Sequence, residues 1–145
     1  MSIAAVVLAA GEASRFGTPK QRLLLPYVLE RLEQSPVDDV VVVAGAHTLE
    51  TPARVVTCAG WKRGPGASLA SGLEELDDEV EAAIVVLADG PDLAPGAVER
   101  VIASGRAAGG TLVAASYGGE RGHPLLVARE AWEAIPDAGL RELEA

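Results

Sequence analysis

Apolar residues along this chain fall into short dense runs, separated by stretches in which they recur every three or four positions. The runs at residues 3–8, 40–43, 54–57, 83–87 and 111–115 are rich in Val, Ile and Ala and too short for helices, so they predict strands. The first, second and fourth are apolar on both faces, as a parallel sheet buried between two helix layers requires. Between them, residues 27–34, 68–76 and 95–108 predict helices. In the last of these Pro95 suits a first helical position, and Val98, Val101 and Ile102 fall on one stripe. This alternation predicts an α/β fold, a three-layer α/β/α sandwich on a mostly parallel sheet, with right-handed crossovers.

Composition narrows the picture. A chain of 145 residues suits one domain, residues 1–145, with one core. Its hydrophobic fraction of 49% excludes a disordered acidic coil. A net charge of −9 argues against nucleic acid or an anionic membrane as partner, since both need a basic footprint. The charge is uneven: residues 1–72 hold 7 basic and 6 acidic side chains, residues 73–145 hold 5 and 15. An anion is therefore expected in the first half. The acidic stretches at 74–75 and 77–81 are expected on a solvated helix end. The single cysteine, Cys58, excludes an internal disulfide and fits a reducing, cytoplasmic location, with the thiol packed at a strand end. The apolar run 3–10 is too short to span a membrane and lacks the basic start of a signal peptide.

In an open α/β sheet, ligands bind beyond the carboxyl ends of the strands. The chain after the first predicted strand reads Leu8-Ala9-Ala10-Gly11-Glu12-Ala13-Ser14-Arg15-Phe16-Gly17-Thr18-Pro19-Lys20-Gln21. Gly11 permits close backbone approach to a ligand, while Gly17 and Pro19 shape the turns that follow. Arg15 and Lys20 add two cations, and backbone donors with cations are what a nucleoside triphosphate needs. Each charge-assisted bond is worth roughly 1.5–3 kcal/mol, so two of them decide binding. The glycine spacing fits neither a dinucleotide-binding turn nor a P-loop, which disfavours an oxidoreductase domain. The plainer alternative is a connecting loop with surface cations. Asp89 follows the apolar run 84–88 and places a hard oxygen ligand at a strand end, as a magnesium site would use. Asp89-Gly90-Pro91 is also an ordinary turn. Ser68 either meets a ligand or caps the following helix. Lys62, Arg63 and His47 read as surface or loop residues.

These segments resemble the nucleotidyltransferases with a Rossmann-like fold. The resemblance rests on Leu8-Ala9-Ala10-Gly11, Arg15-Phe16-Gly17 and Pro19-Lys20-Gln21, then Gly60-Trp61, Gly66, Ser68-Leu69 and Gly72-Leu73, Asp89-Gly90-Pro91, and Gly122-His123-Pro124-Leu125-Leu126. Within that group the molybdenum cofactor cytidylyltransferases are most similar, chiefly through the Gly-His-Pro strand. The resemblance implies attack by an acceptor phosphate on the α-phosphorus of a nucleoside triphosphate, with pyrophosphate released. It implies Arg15 and Lys20 as catalytic cations, and Leu8, Ala9, Ala10, Gly11, Lys20, Gly66 and Ser68 against the nucleotide. Asp89 would hold Mg2+, and His123 would stand near the acceptor. CTP is the favoured nucleotide, from Ala10, and a phosphorylated pterin the favoured acceptor, with a further enzyme to receive the modified cofactor.

The match has two departures. Gln21-Arg22-Leu23-Leu24-Leu25-Pro26 runs straight into Tyr27, so an inner loop near residues 25–26 is expected to be absent. Asp137-Ala138-Gly139-Leu140-Arg141 resembles a family segment, and the acidic C-terminal motif that supplies a second metal ligand is expected to be absent after it. Two alternatives stay open: transfer to another phosphate, such as a sugar, isoprenoid or lactate-type phosphate, and a nucleotide-binding module without catalysis.

Overall fold

The computed structural model describes residues 2–9, 20–44, 54–60, 63, 65–87, 95–108, 112–117 and 120–135. Strand β1 (Ser2–Ala9) leads to helix α1 (Lys20–Glu33), then β2 (Asp39–Ala44), β3 (Arg54–Thr57), α2 (Pro65–Glu74), β4 (Val80–Leu87) and α3 (Pro95–Ala108). β5 (Leu112–Tyr117), β6 (Glu120–Ala128) and a 3-10 helix (Arg129–Ala134) follow. The strands form one sheet in the order β3-β2-β1-β4-β6-β5. β3, β2, β1 and β4 are parallel, and β6 runs antiparallel to both its neighbours.

Alternation along the strands divides the core in two. Ile3, Ala5, Val7 and Ala9 of β1 join Val42, Ala44, Ala82, Ile84, Val86 and Leu126 beneath Val28 and Leu32 of α1 and Val98, Val101 and Ile102 of α3. Ala4 and Val6 join Val41, Val43, Ala83, Val85, Leu125 and Val127 beneath Leu69 and Leu73 of α2, with Trp132 and Ile135 packed alongside. Both faces are buried, so the three-layer, Rossmann-like α/β/α sandwich stands as expected. Asp38 ties the entrance of β2 to that of β1: its carboxylate accepts from the Ile3 N–H at 2.9 Å, and its own N–H donates to the Ile3 carbonyl at 2.7 Å.

Several boundaries differ from the sequence expectation. α1 begins at Lys20 rather than at residue 27, so Pro26 lies inside the helix. α2 begins at Pro65, which makes Ser68 its fourth residue and removes the capping alternative. The 3-10 helix after β6 has no counterpart in the expected elements. Uniformly right-handed crossovers do not hold either. β1–α1–β2 moves one way along the sheet and β4–α3–β5 the other, yet α1 and α3 share a face, so the two connections have opposite hands. Cys58 is buried one residue beyond β3, as expected. Residues 74, 75, 77–79 and 81 are exposed, mostly between α2 and β4.

Candidate active site

The strand order reverses between β1 and β4: the chain steps from β1 to β2 and β3 on one side, and returns to β4 on the other. Such a reversal opens a crevice at the carboxyl edge, because the flanking connections depart in opposite directions. Leu8 pairs with Val43 on one side and Leu87 on the other, and Ala9 with Ala44. Leu8 is half-buried and Ala9 buried, so the last residues of β1 are held from both sides as the chain leaves the sheet. Ala10, Gly11 and Arg15 lie outside the described residues, as does Asp89, which follows Leu87 by two positions.

Lys20 opens α1, so its backbone stands where the helix returns from this edge; the described atoms stop short of its side chain. The N–H groups of a first helical turn have no partner within the helix, and the positive end of the dipole lies there. α2 starts at the same edge, as the next helix after the β3 carboxyl end. Its first turn contains Gly66 and Ser68, both buried. The Cys58 N–H donates to the Ala44 carbonyl at 2.7 Å, and its thiol lies 3.7 Å from the Ala67 carbonyl, which joins the ends of β2 and β3 to this turn. Between them, the Arg63 N–H donates to the Gly60 carbonyl at 2.9 Å, closing a turn. A Cβ at Gly60 would stand 2.7–3.0 Å from three guanidinium atoms of Arg63, so the guanidinium lies over a bare backbone.

β6 brings His123 to the sheet. β5 advances one residue from Ala114 to Ala115 while β6 advances three, from Leu125 back to Gly122. His123 and Pro124 are therefore the extra residues of a bulge. Proline cannot donate to a ladder, so a bulge is where it can sit in a central strand. With Leu125 opposite Val85 of β4, the bulge stands at the end of the sheet where β4 finishes.

The structure thus brings Leu8, Ala9, Gly66, Ser68 and the backbones of Lys20 and His123 to one edge. Among the described residues no group of three or more His, Cys, Asp or Glu gathers as a metal site. Gly72 belongs to a motif quoted above but had no role in the sequence reading. Its signal was a glycine inside a helical pattern, where a packing reason is the usual cause.

A mostly parallel sheet whose order reverses between β1 and β4, with helices departing from one edge, defines a Rossmann-like α/β class. Residues 5–144 match the model of the MobA-like NTP transferase domain, and the chain belongs to that family. It is accordingly a nucleotidyltransferase. Rv0371c of Mycobacterium tuberculosis H37Rv is 27% identical, with a TM-score of 0.82 over 98% of this chain and 81% of that one. Its homologue from Mycobacterium sp. strain JC1 is 30% identical, with a TM-score of 0.76 over 91% of this chain and 72% of that one. A manganese complex of Rv0371c from the same M. tuberculosis strain is 25% identical, with a TM-score of 0.74 over 92% and 74% of the two chains. No curated protein matches the sequence. Among the described residues, no helix is long and apolar enough to cross a membrane.

Proposed function

We propose that this nucleotidyltransferase moves a nucleoside monophosphate, CMP from CTP, onto the phosphate of a small acceptor of the molybdopterin type. The observation that carries the reading is the pairing of Leu8 with Leu87 at the strand-order reversal. Through it, the segment bearing Gly11 and Arg15 and the segment bearing Asp89 leave adjacent strands at one edge. In this reading an oxygen of the acceptor phosphate bonds to the α-phosphorus, the bond to the β-phosphate oxygen breaks, and pyrophosphate departs. Backbone N–H groups around Ala10 and Gly11 and the cations Arg15 and Lys20 hold the triphosphate and oppose the charge that grows on it. Gly66 and Ser68 face the nucleoside, and His123 faces the acceptor.

A carboxylate at a strand end is the oxygen donor that a divalent cation takes alongside phosphate oxygens, so Asp89 fits such a site. The manganese complex of a relative supports divalent metal use, and Mg2+ is the ion proposed here. When bound, the ion neutralises phosphate charge.

The test is pyrophosphate release by the full chain with CTP, GTP, ATP and UTP, each with Mg2+ and a panel of phosphorylated acceptors. Release with CTP and a pterin phosphate is expected. Release only with a sugar or isoprenoid phosphate would transfer the reading to that acceptor, and tight nucleotide binding without release would make this a binding module. Lys20→Ala should lower turnover at saturating nucleotide by about 100-fold, the scale of one lost charge-stabilising donor, with an unchanged melting temperature. Turnover within about twofold of wild type would remove Lys20 from the mechanism, since a twofold loss lies far below that scale.

A further inference from the structure

Glycine within a helix costs up to about 1 kcal/mol relative to alanine, so Gly72, in the last turn of α2, calls for a packing reason. A Cβ at that position would stand 2.7 Å from Cγ1 of Val6 and 2.8 Å from Cγ2 of Val43. Real Cβ atoms essentially never come within 3.0 Å of such neighbours. Both valines are fully buried, on adjacent strands β1 and β2, and their branched side chains have little freedom to turn away. The α2 backbone therefore rests directly on the sheet at Gly72.

Ser68 lies one turn nearer the helix start on the same face, being four residues earlier. Four helical residues rise about 6 Å and two strand residues about 6.6 Å, which sets Ser68 at about the level of Leu8, two residues beyond Val6. The depth at which α2 rests on Val6 and Val43 thus fixes where its first turn stands beside the end of β1.

We propose that Gly72 is a positioning residue: its missing side chain seats α2 against Val6 and Val43 and so sets the place of Gly66 and Ser68 at the nucleotide edge. The nucleotide half of this inference rests on the function proposed above; the seating of the helix does not. Cys58 reports the seating directly. It is the only cysteine, 3% exposed, with its thiol 3.7 Å from the carbonyl of Ala67 in the first turn of α2.

The experiment compares wild type with Gly72→Ala in the full chain. It measures the rate of Cys58 reaction with a small aromatic disulfide, and the Kd for CTP, GTP, ATP and UTP with Mg2+. Gly72→Ala is expected to speed the thiol reaction at least about tenfold and to weaken nucleotide binding by a similar factor, a change of about 1.4 kcal/mol. Adding Val6→Ala and Val43→Ala to Gly72→Ala opens room for the new methyl and should return both values toward wild type. Val98→Ala, in α3 on the opposite face of the sheet, should lower the melting temperature and leave both values unchanged. If Gly72→Ala does not fold, the triple variant decides: a wild-type thiol rate supports the seating, and a defect as deep as the single variant's overturns it. Wild-type thiol rate and Kd in a folded Gly72→Ala would also overturn the proposal. A faster thiol reaction with unchanged nucleotide Kd would overturn its nucleotide half while leaving the proposed function intact. A wild type that binds none of the four nucleotides would remove that function together with the nucleotide half, and the thiol rates would still decide the seating.

Discussion

Arg129 shows how much one residue can tie together. Its Nε donates to the Val80 carbonyl and its Nη2 to the Asp77 carbonyl, each at 2.6 Å. Its guanidinium carbon lies 4.3 Å from the centre of the Trp132 ring, and Trp132 Nε1 donates to the Val127 carbonyl at 2.9 Å. The end of β6 is thereby fastened to the entrance of β4. Hydrogen bonds from a charged donor contribute roughly 1.5–3 kcal/mol each, and the half-exposed setting reduces that. Arg129→Ala is expected to cost about 2 kcal/mol in urea unfolding, with Arg129→Lys restoring little, because an ammonium cannot make the forked contact. Full recovery with lysine would show that charge alone matters. The fastening to β4 was not legible in the sequence, since the two carbonyls that Arg129 reaches lie 49 and 52 residues away.

At the scale of elements, α1 is the instructive departure. Pro26 and its predecessor disfavour helical continuation, so the sequence pattern started the helix at residue 27. The helix nevertheless runs from Lys20, docked by Val28 and Leu32, with Pro26 exposed and lacking the N–H that would bond the Arg22 carbonyl. Interior proline costs a helix about 3 kcal/mol relative to alanine, part of it recovered through a stiffer unfolded chain. Pro26→Ala should therefore raise stability by about 1–2 kcal/mol, read as a higher midpoint in denaturant. A lower midpoint would mean that the proline shape of α1 is itself required. β6 behaves differently: Pro124 also breaks its local pattern, and there the structure does yield, as a bulge.

For the whole molecule, the sheet order matters more than any single element. Two halves of a mixed sheet, one parallel and one containing the antiparallel β6, diverge from β1 and β4, and each half sends a helix start to the shared edge. A ligand that binds only the folded state stabilises it, by about 2.7 kcal/mol at 100 times its Kd. CTP with Mg2+ should accordingly raise the melting temperature. Asp89→Asn should remove most of the part that depends on the cation, while the shift with CTP alone persists. An Mg2+-dependent shift of wild-type size in Asp89→Asn would exclude that carboxylate as the ligand.

By itself the sequence determined the class of fold and offered candidates for phosphate chemistry. Short β-branched runs apolar on both faces suit buried strands, and Gly11, Arg15, Lys20 and Asp89 carry their expected chemistry in residue type and in distance from a strand end. Those four stand there as expectations. Only the tertiary structure decided that Leu8 faces Leu87, that Ser68 sits inside a helix, and that Gly72 lets this helix rest on Val6 and Val43. Pairing and packing join residues far apart in the chain, and their energies depend on atoms from several strands at once. Local periodicity records which face of a segment is apolar; it does not record what that face meets.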